Sequence, residues 1–193
     1  MAKIPFVLVW IRLALSPCFL IGYFAGGPGW LYVTMLLVGI VSDIFDGVLA
    51  RRWNCVTSGL RRFDSNVDTL FYGLAGVTAV LLRSAFLSPW LIGFAVMFGL
   101  FLTQNVINGI RYGRQPSYHM WSGKLWSIAL VVALTGLFIN RPAAWAIDLV
   151  IVLGIYNSLE GIIASLISDK PLTDVRSVFD VIQLVVEDKF QQS

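Results

Sequence analysis

Charge is what this sequence has least of. Only 13% of its 193 residues are Asp, Glu, Lys or Arg, where a soluble domain carries about 25%. With 58% hydrophobic residues and a mean hydropathy of +0.79, that scarcity excludes a soluble fold. One core of this size cannot hide so much apolar surface, so the chain belongs in a bilayer. Cysteine and histidine are nearly absent as well. Cys18 and Cys55 fall in the first apolar run and in a basic loop, which suits neither a disulfide nor metal-ligand spacing. His119 sits alone in a polar loop and reads as a surface imidazole. The net charge of +3 gives no reason to expect nucleic acid.

What is present is a series of apolar runs. A span needs about 20 mostly apolar residues. Six stretches qualify: 4–26, 30–50, 69–87, 90–110, 125–139 (extending back through Met120) and 143–167. The first is interrupted by Arg12 and Pro17 and lacks a clear cleavage site, so a retained helix is expected. Turn signals at 26–29, 88–89 and 140–142 make neighbouring spans antiparallel. The expected fold is an all-α integral membrane protein, a six-transmembrane-helix bundle. It divides into a membrane domain over 1–170 and a short amphipathic tail over 171–193.

The basic residues set the orientation. Lys3, Arg51, Arg52, Arg61, Arg62, Arg111, Arg114, Lys124, Lys170, Arg176 and Lys189 fall on one side of a six-span arrangement. Both termini are therefore expected in the cytoplasm. Gly22 and Gly26 have GxxxG spacing and read as ordinary close packing. Gln104, Asn105, Asn108 and Arg111 form a polar strip that lines a pocket or glues helices. Asn157 and Glu160 pose the same question in the last span, with Glu160 favoured as functional because its charge is the costlier to bury. In the tail, Val175, Val178, Phe179, Ile182, Val185 and Val186 fit one helical face that packs under the bundle.

The stretch 42–68 holds four of the chain's 11 acidic residues at the cytoplasmic ends of two spans. On a helix, Asp43, Asp46, Gly47 and Ala50 share one face, and Asp64 and Asp68 stand one turn apart. A basic turn over 52–62 would bring the two helices side by side. Four converging carboxylates repel one another unless cations neutralise them, and two divalent ions would do so. Mg²⁺ or Mn²⁺ suits oxygen ligands with room left for phosphate. Gly47 and Ala50 offer almost no side chain, and Arg51 supplies a cation for a pyrophosphate. That combination describes a nucleotide-diphosphate site better than an ion pathway.

Asp43-x2-Asp46-Gly47-x2-Ala50-Arg51, followed by Asp64-x3-Asp68, resembles the signature of the CDP-alcohol phosphatidyltransferases. The resemblance implies a six-helix fold, a cytoplasmic site, and transfer of a phosphatidyl group from a CDP-linked lipid to an alcohol with release of CMP. It implies that Asp43, Asp46 and Asp64 bind the metals, and that Asp68 is the catalytic base and also touches a metal. Asp43, Gly47, Ala50, Arg51 and Gly59 would contact the CDP portion. One position departs: Leu60 stands where the family has a glycine, and the glycine is displaced to Gly59. A homodimer in the cell inner membrane is also implied.

The acceptor is less marked. Glycerol 3-phosphate is the first expectation, with Arg111, Arg114 and Lys124 as its binding residues. Gly123-Lys124 resembles a pair found in phosphatidylglycerolphosphate synthase-like members. Inositol phosphate, serine or a lipid acceptor stay open. Two other classes compete, a divalent-cation transporter and an inactive structural homologue. The transporter would need acids stepping across the bilayer, and here they gather at one end.

Overall fold

The structure, a computed structural model, describes residues 4–53, 58–113, 116, 120–168, 170–171 and 175–192, with the side chains at 4–5, 50–51, 58, 60–62 and 188–192 excepted. Among these residues the regular structure is helical throughout. Seven α-helices run in order: α1 (Ile4–Phe24), α2 (Gly29–Arg52), α3 (Ser58–Leu87), α4 (Leu91–Tyr112), α5 (Trp121–Phe138), α6 (Ala144–Ile167) and α7 (Val178–Gln192). A single 3₁₀ turn over Ser88–Trp90 joins α3 to α4. Five stretches are long and apolar enough to cross a membrane, one of them the continuous run Phe63–Tyr112. With residues such as Ile21, Phe24, Ile92 and Ile110 exposed, this is an integral membrane protein whose outer surface is made for lipid.

Two helices differ from the sequence expectation. α3 begins at Ser58 and not at Thr69, so residues 58–62 of the stretch read as a turn over 52–62 are helical. Apart from Phe63, residues 61–66 are polar, yet Arg, Asn and Asp cost a helix only tenths of a kcal/mol, roughly 0.2–0.7 each. α1 stops at Phe24, and Gly26 adopts a left-handed φ of 69° in the turn that follows. Gly22 does mark a close approach of α1 to α2, since a Cβ there would lie 3.1 Å from the Tyr32 ring, but Gly26 has nothing within 4 Å and takes no part in the packing. Gly26 is there because the turn needs positive φ.

The chain forms two compact units, Met1–Leu87 with Leu134–Ala143, and Ser88–Ala133 with Ala144–Ser193. In the first, α1 packs along both α2 and α3, which touch each other only sparingly. The sequence reading set α2 and α3 directly face to face. In the structure α1 does most of the joining. An aromatic core holds the three together: Phe19 meets Phe71 edge-on at 5.2 Å, and Tyr32 stacks on Phe138 at 5.0 Å. Gly39 marks the close approach of α2 to α3, because a Cβ there would lie 2.3 Å from the Phe71 ring.

In the second unit α4 and α7 pack on α6. The polar strip of α4 serves largely as glue. Ser165 donates its Oγ–H to Asn108 Oδ1 at 2.6 Å, Tyr112 donates to the Ser165 and Ser168 carbonyls, and Arg111 reaches the Ser168 carbonyl at 3.3 Å. Buried Glu160 accepts from Ser122 Oγ at 2.5 Å and from the Val178 backbone N–H at 3.1 Å. It thus caps the first residue of α7 and ties that helix to α6. Met120, Ala164, Val175 and Val181 form an apolar core, joined by Val178 and Val185; Phe179, Ile182 and Val186, expected on the same face, are exposed, and Val181 is buried in their place.

Candidate active site

The last turns of α2 carry Asp43 and Asp46, and the early turns of α3 carry Asp64 and Asp68. Regular helix through both segments puts each pair on one face. Asp43, Asp64 and Asp68 bring carboxylate oxygens within 4.8 Å of one another. Asp46 lies outside that triplet and is 6% exposed, against 44%, 32% and 30% for the side chains of Asp43, Asp64 and Asp68. Three carboxylates are therefore open to a ligand and one is enclosed.

The group that draws all four together is Arg12, halfway along α1. Its Nη1 donates to Asp43 Oδ1 at 3.0 Å and to Asp68 Oδ1, and its Nη2 donates to Asp46 Oδ2 and Asp64 Oδ1. The side chain is 1% exposed. Sequence reasoning recorded Arg12 only as an interruption of the first span. A signal for it existed: an arginine inside an apolar span requires a partner, and the only comparable cost in the neighbouring spans is the aspartate set. Helix number and loop length do not say that the two meet.

Around the acids, Phe63 of α3 stacks on Phe6 at 5.6 Å and lies 5.5 Å from Trp10, so α1 is pinned to α3 beside Asp64. One turn toward the core, buried Ser42 donates to the Gly39 carbonyl. Gly47 continues the acidic face of α2, as do the backbones of Ala50 and Arg51, while the side chains of those two lie outside the described residues. Gly59 is exposed in the first turn of α3, with nothing within 4 Å of where a Cβ would stand.

The acceptor residues expected from the sequence separate. Arg114 and His119 lie outside the described residues, as does Cys55. Arg111 reaches the Ser168 carbonyl as described above. Lys124 sits 4.5 Å from the centroid of the Trp121 ring. It also borders a cavity of about 400 Å³ in the second unit, lined by Gln104, Gly123, Ser127 and Asn157 among others.

The donor set fits divalent cations. It consists only of carboxylate oxygens, three of them clustered at ligand spacing, and the same oxygens already attract a cationic group of the protein. Arg12 brings one positive charge against four negative ones.

Comparison with known proteins agrees with this geometry. The family description CDP-alcohol phosphatidyltransferase matches residues 2–156. The chain is similar to a CMP-forming cardiolipin synthase of Streptomyces coelicolor, 32% identical over 159 residues that cover 80% of this chain and 69% of the relative. No solved structure matches it. A family match that takes in α1 to α5, the four aspartates and most of α6 leaves one conclusion: the chain belongs to the CDP-alcohol phosphatidyltransferases, membrane enzymes that make phospholipids by phosphatidyl transfer.

Proposed function

We propose that this enzyme moves a phosphatidyl group from a CDP-linked diacyl lipid to the hydroxyl of a second lipid of the phosphatidylglycerol type, releasing CMP. The convergence of Asp43, Asp46, Asp64 and Asp68 on one point carries the chemical half of this reading. The acceptor half is supported by the cardiolipin synthase relative, whose name states both its product and the release of CMP.

Asp43, Asp46 and Asp64 would hold two Mg²⁺ or Mn²⁺ ions. Bound there, such ions neutralise charge on the diphosphate of the lipid donor. Asp68 takes the proton of the acceptor hydroxyl, freeing an oxygen lone pair to form the new P–O bond as the bond to CMP breaks. With the Asp68 carboxylate 30% accessible, an acceptor can reach it. Gly47 and Ala50 leave space for the nucleotide along α2, Arg51 pairs with its diphosphate, and Gly59 borders it from α3.

The run Phe63–Tyr112 is read as two spans. Its 50 residues would measure roughly 75 Å as one helix, against about 30 Å of hydrocarbon, and the Ser88–Trp90 turn divides it. Six spans follow, with residues 1–170 as the membrane domain and 171–193 as its tail. The site and both termini face the cytoplasm by the distribution of basic residues. The enzyme is placed in the inner membrane as a homodimer.

A second acceptor, glycerol 3-phosphate, is favoured by the cavity beside Lys124, where Gln104, Ser127 and Asn157 supply polar groups for a small anion. One assay separates the two. Purified protein receives CDP-diacylglycerol and Mg²⁺ or Mn²⁺ with phosphatidylglycerol, glycerol 3-phosphate, serine or inositol phosphate in turn, and CMP is measured. Release with phosphatidylglycerol alone supports the first reading. Release with glycerol 3-phosphate alone transfers the assignment to the second, and no release with any acceptor sinks both.

A further inference from the structure

Arg12 presents a problem that the reaction does not explain. Its two terminal nitrogens serve all four carboxylates, and three of the oxygens they occupy belong to the acids that form the ligand-spaced triplet. A divalent ion and a guanidinium cannot both take the same carboxylate face at full strength. Each oxygen that turns to an ion is withdrawn from Arg12. The guanidinium is also incompletely satisfied, because its buried Nε–H has no partner among the described residues. It is held by the acids, not locked in a finished network.

We propose that Arg12 is a placeholder cation for the metal site, resting on the metal reading above. Before metal binds, it bridges α1 to α2 and α3 and keeps four repelling carboxylates assembled. When divalent ions bind, it yields the carboxylate oxygens. The same contacts that preassemble the site lower its affinity for metal, since binding must displace an internal competitor. Arg12 is in this sense a positioning residue that sets the metal concentration at which the enzyme loads.

The test uses the full-length protein in detergent and Mn²⁺ alone as probe. Electron paramagnetic resonance of unbound Mn²⁺ gives affinity, and thermal unfolding is followed with and without the ion. Arg12→Gln removes the competitor but keeps a polar side chain. It should bind Mn²⁺ about tenfold or more tightly than wild type, the scale of one charge-assisted hydrogen bond. Its metal-free melting temperature should fall, and Mn²⁺ should raise it by more than in wild type. A purely structural arginine would lower the melting temperature without tightening Mn²⁺ binding, and that result overturns the proposal.

Should Arg12→Gln fail to fold without metal, Arg12→Lys serves instead. Its single ammonium cannot satisfy four acids, so its Mn²⁺ affinity should lie between wild type and the tenfold gain. Affinity equal to or weaker than wild type in Arg12→Lys is again a refutation. Mn²⁺ bound by wild type with no gain in the variants refutes the placeholder alone. No Mn²⁺ on any of the three proteins refutes the metal reading and the placeholder with it.

Discussion

The acid cluster of the first unit and the Glu160 network of the second hold buried polar groups in different ways. In the first, four carboxylates meet one guanidinium, which cannot cancel them all and whose Nε has no partner among the described residues. In the second, Glu160 is answered by a hydroxyl and a backbone N–H, and Asn108 by Ser165. Satisfied polar groups hold helices together. Unbalanced ones are kept at a cost in folding energy and are explained by a ligand or a reaction. The contrast distinguishes a chemical site from structural glue using only partners and charge.

Breaking one side of this contrast should cost activity, and breaking the other should cost stability. The largest effect is expected for Asp68→Asn. It removes the proposed base and should reduce CMP release by about 10²–10⁴-fold, while the melting temperature holds or rises, because one of four mutually repelling charges is gone. A large loss of stability in that variant would place Asp68 among the structural contacts. Chelation of divalent ions in the wild-type protein should likewise stop CMP release, and Mg²⁺ or Mn²⁺ should restore it.

Glu160→Ala tests the other unit. It removes the acceptor of the Val178 N–H and leaves the Ser122 hydroxyl only Asn157 Oδ1, at 3.0 Å, and should cost about 1–3 kcal/mol, measured as the unfolding midpoint in detergent. α7 should loosen first, seen as faster hydrogen exchange over 178–187. Gly39→Ala should cost about 1–3 kcal/mol by overpacking, since the new Cβ would sit 2.3 Å from the Phe71 ring. If its melting temperature is unchanged, α2 and α3 have room that the structure does not show. Asp148→Asn should do least. The carboxylate accepts from Trp90 Nε1 at 2.6 Å in an exposed position, where a hydrogen bond is worth roughly 1 kcal/mol or less.

Particular residues show how far the sequence alone could be read. Asp43, Asp46, Asp64 and Asp68 were recognisable from spacing and from the cost of placing acids beside apolar runs, and the structure brings all four to one point. The helices α1, α2, α4, α5 and α6 fall within a few residues of the expected spans because hydropathy measures lipid contact directly. The start of α3 was missed because a helix can leave the hydrocarbon and continue through Arg and Asp. Arg111 belonged to a strip legible as polar, but whether it lined a pocket or held α4 to α6 depended on where the Ser168 carbonyl stands. Lys124 was legible as a cation, and its place over Trp121 was not.

Read along the chain alone, the residues already imply a helical membrane protein with four aspartates paired on helix faces. Each of these follows from local composition and from spacing along one helix. What stands at the centre of those aspartates follows from the packing of α1 against α2 and α3. Arg12 is 31 residues from Asp43 and 56 from Asp68 along the chain. A charge that far away enters the site through helix packing, which no spacing rule reports.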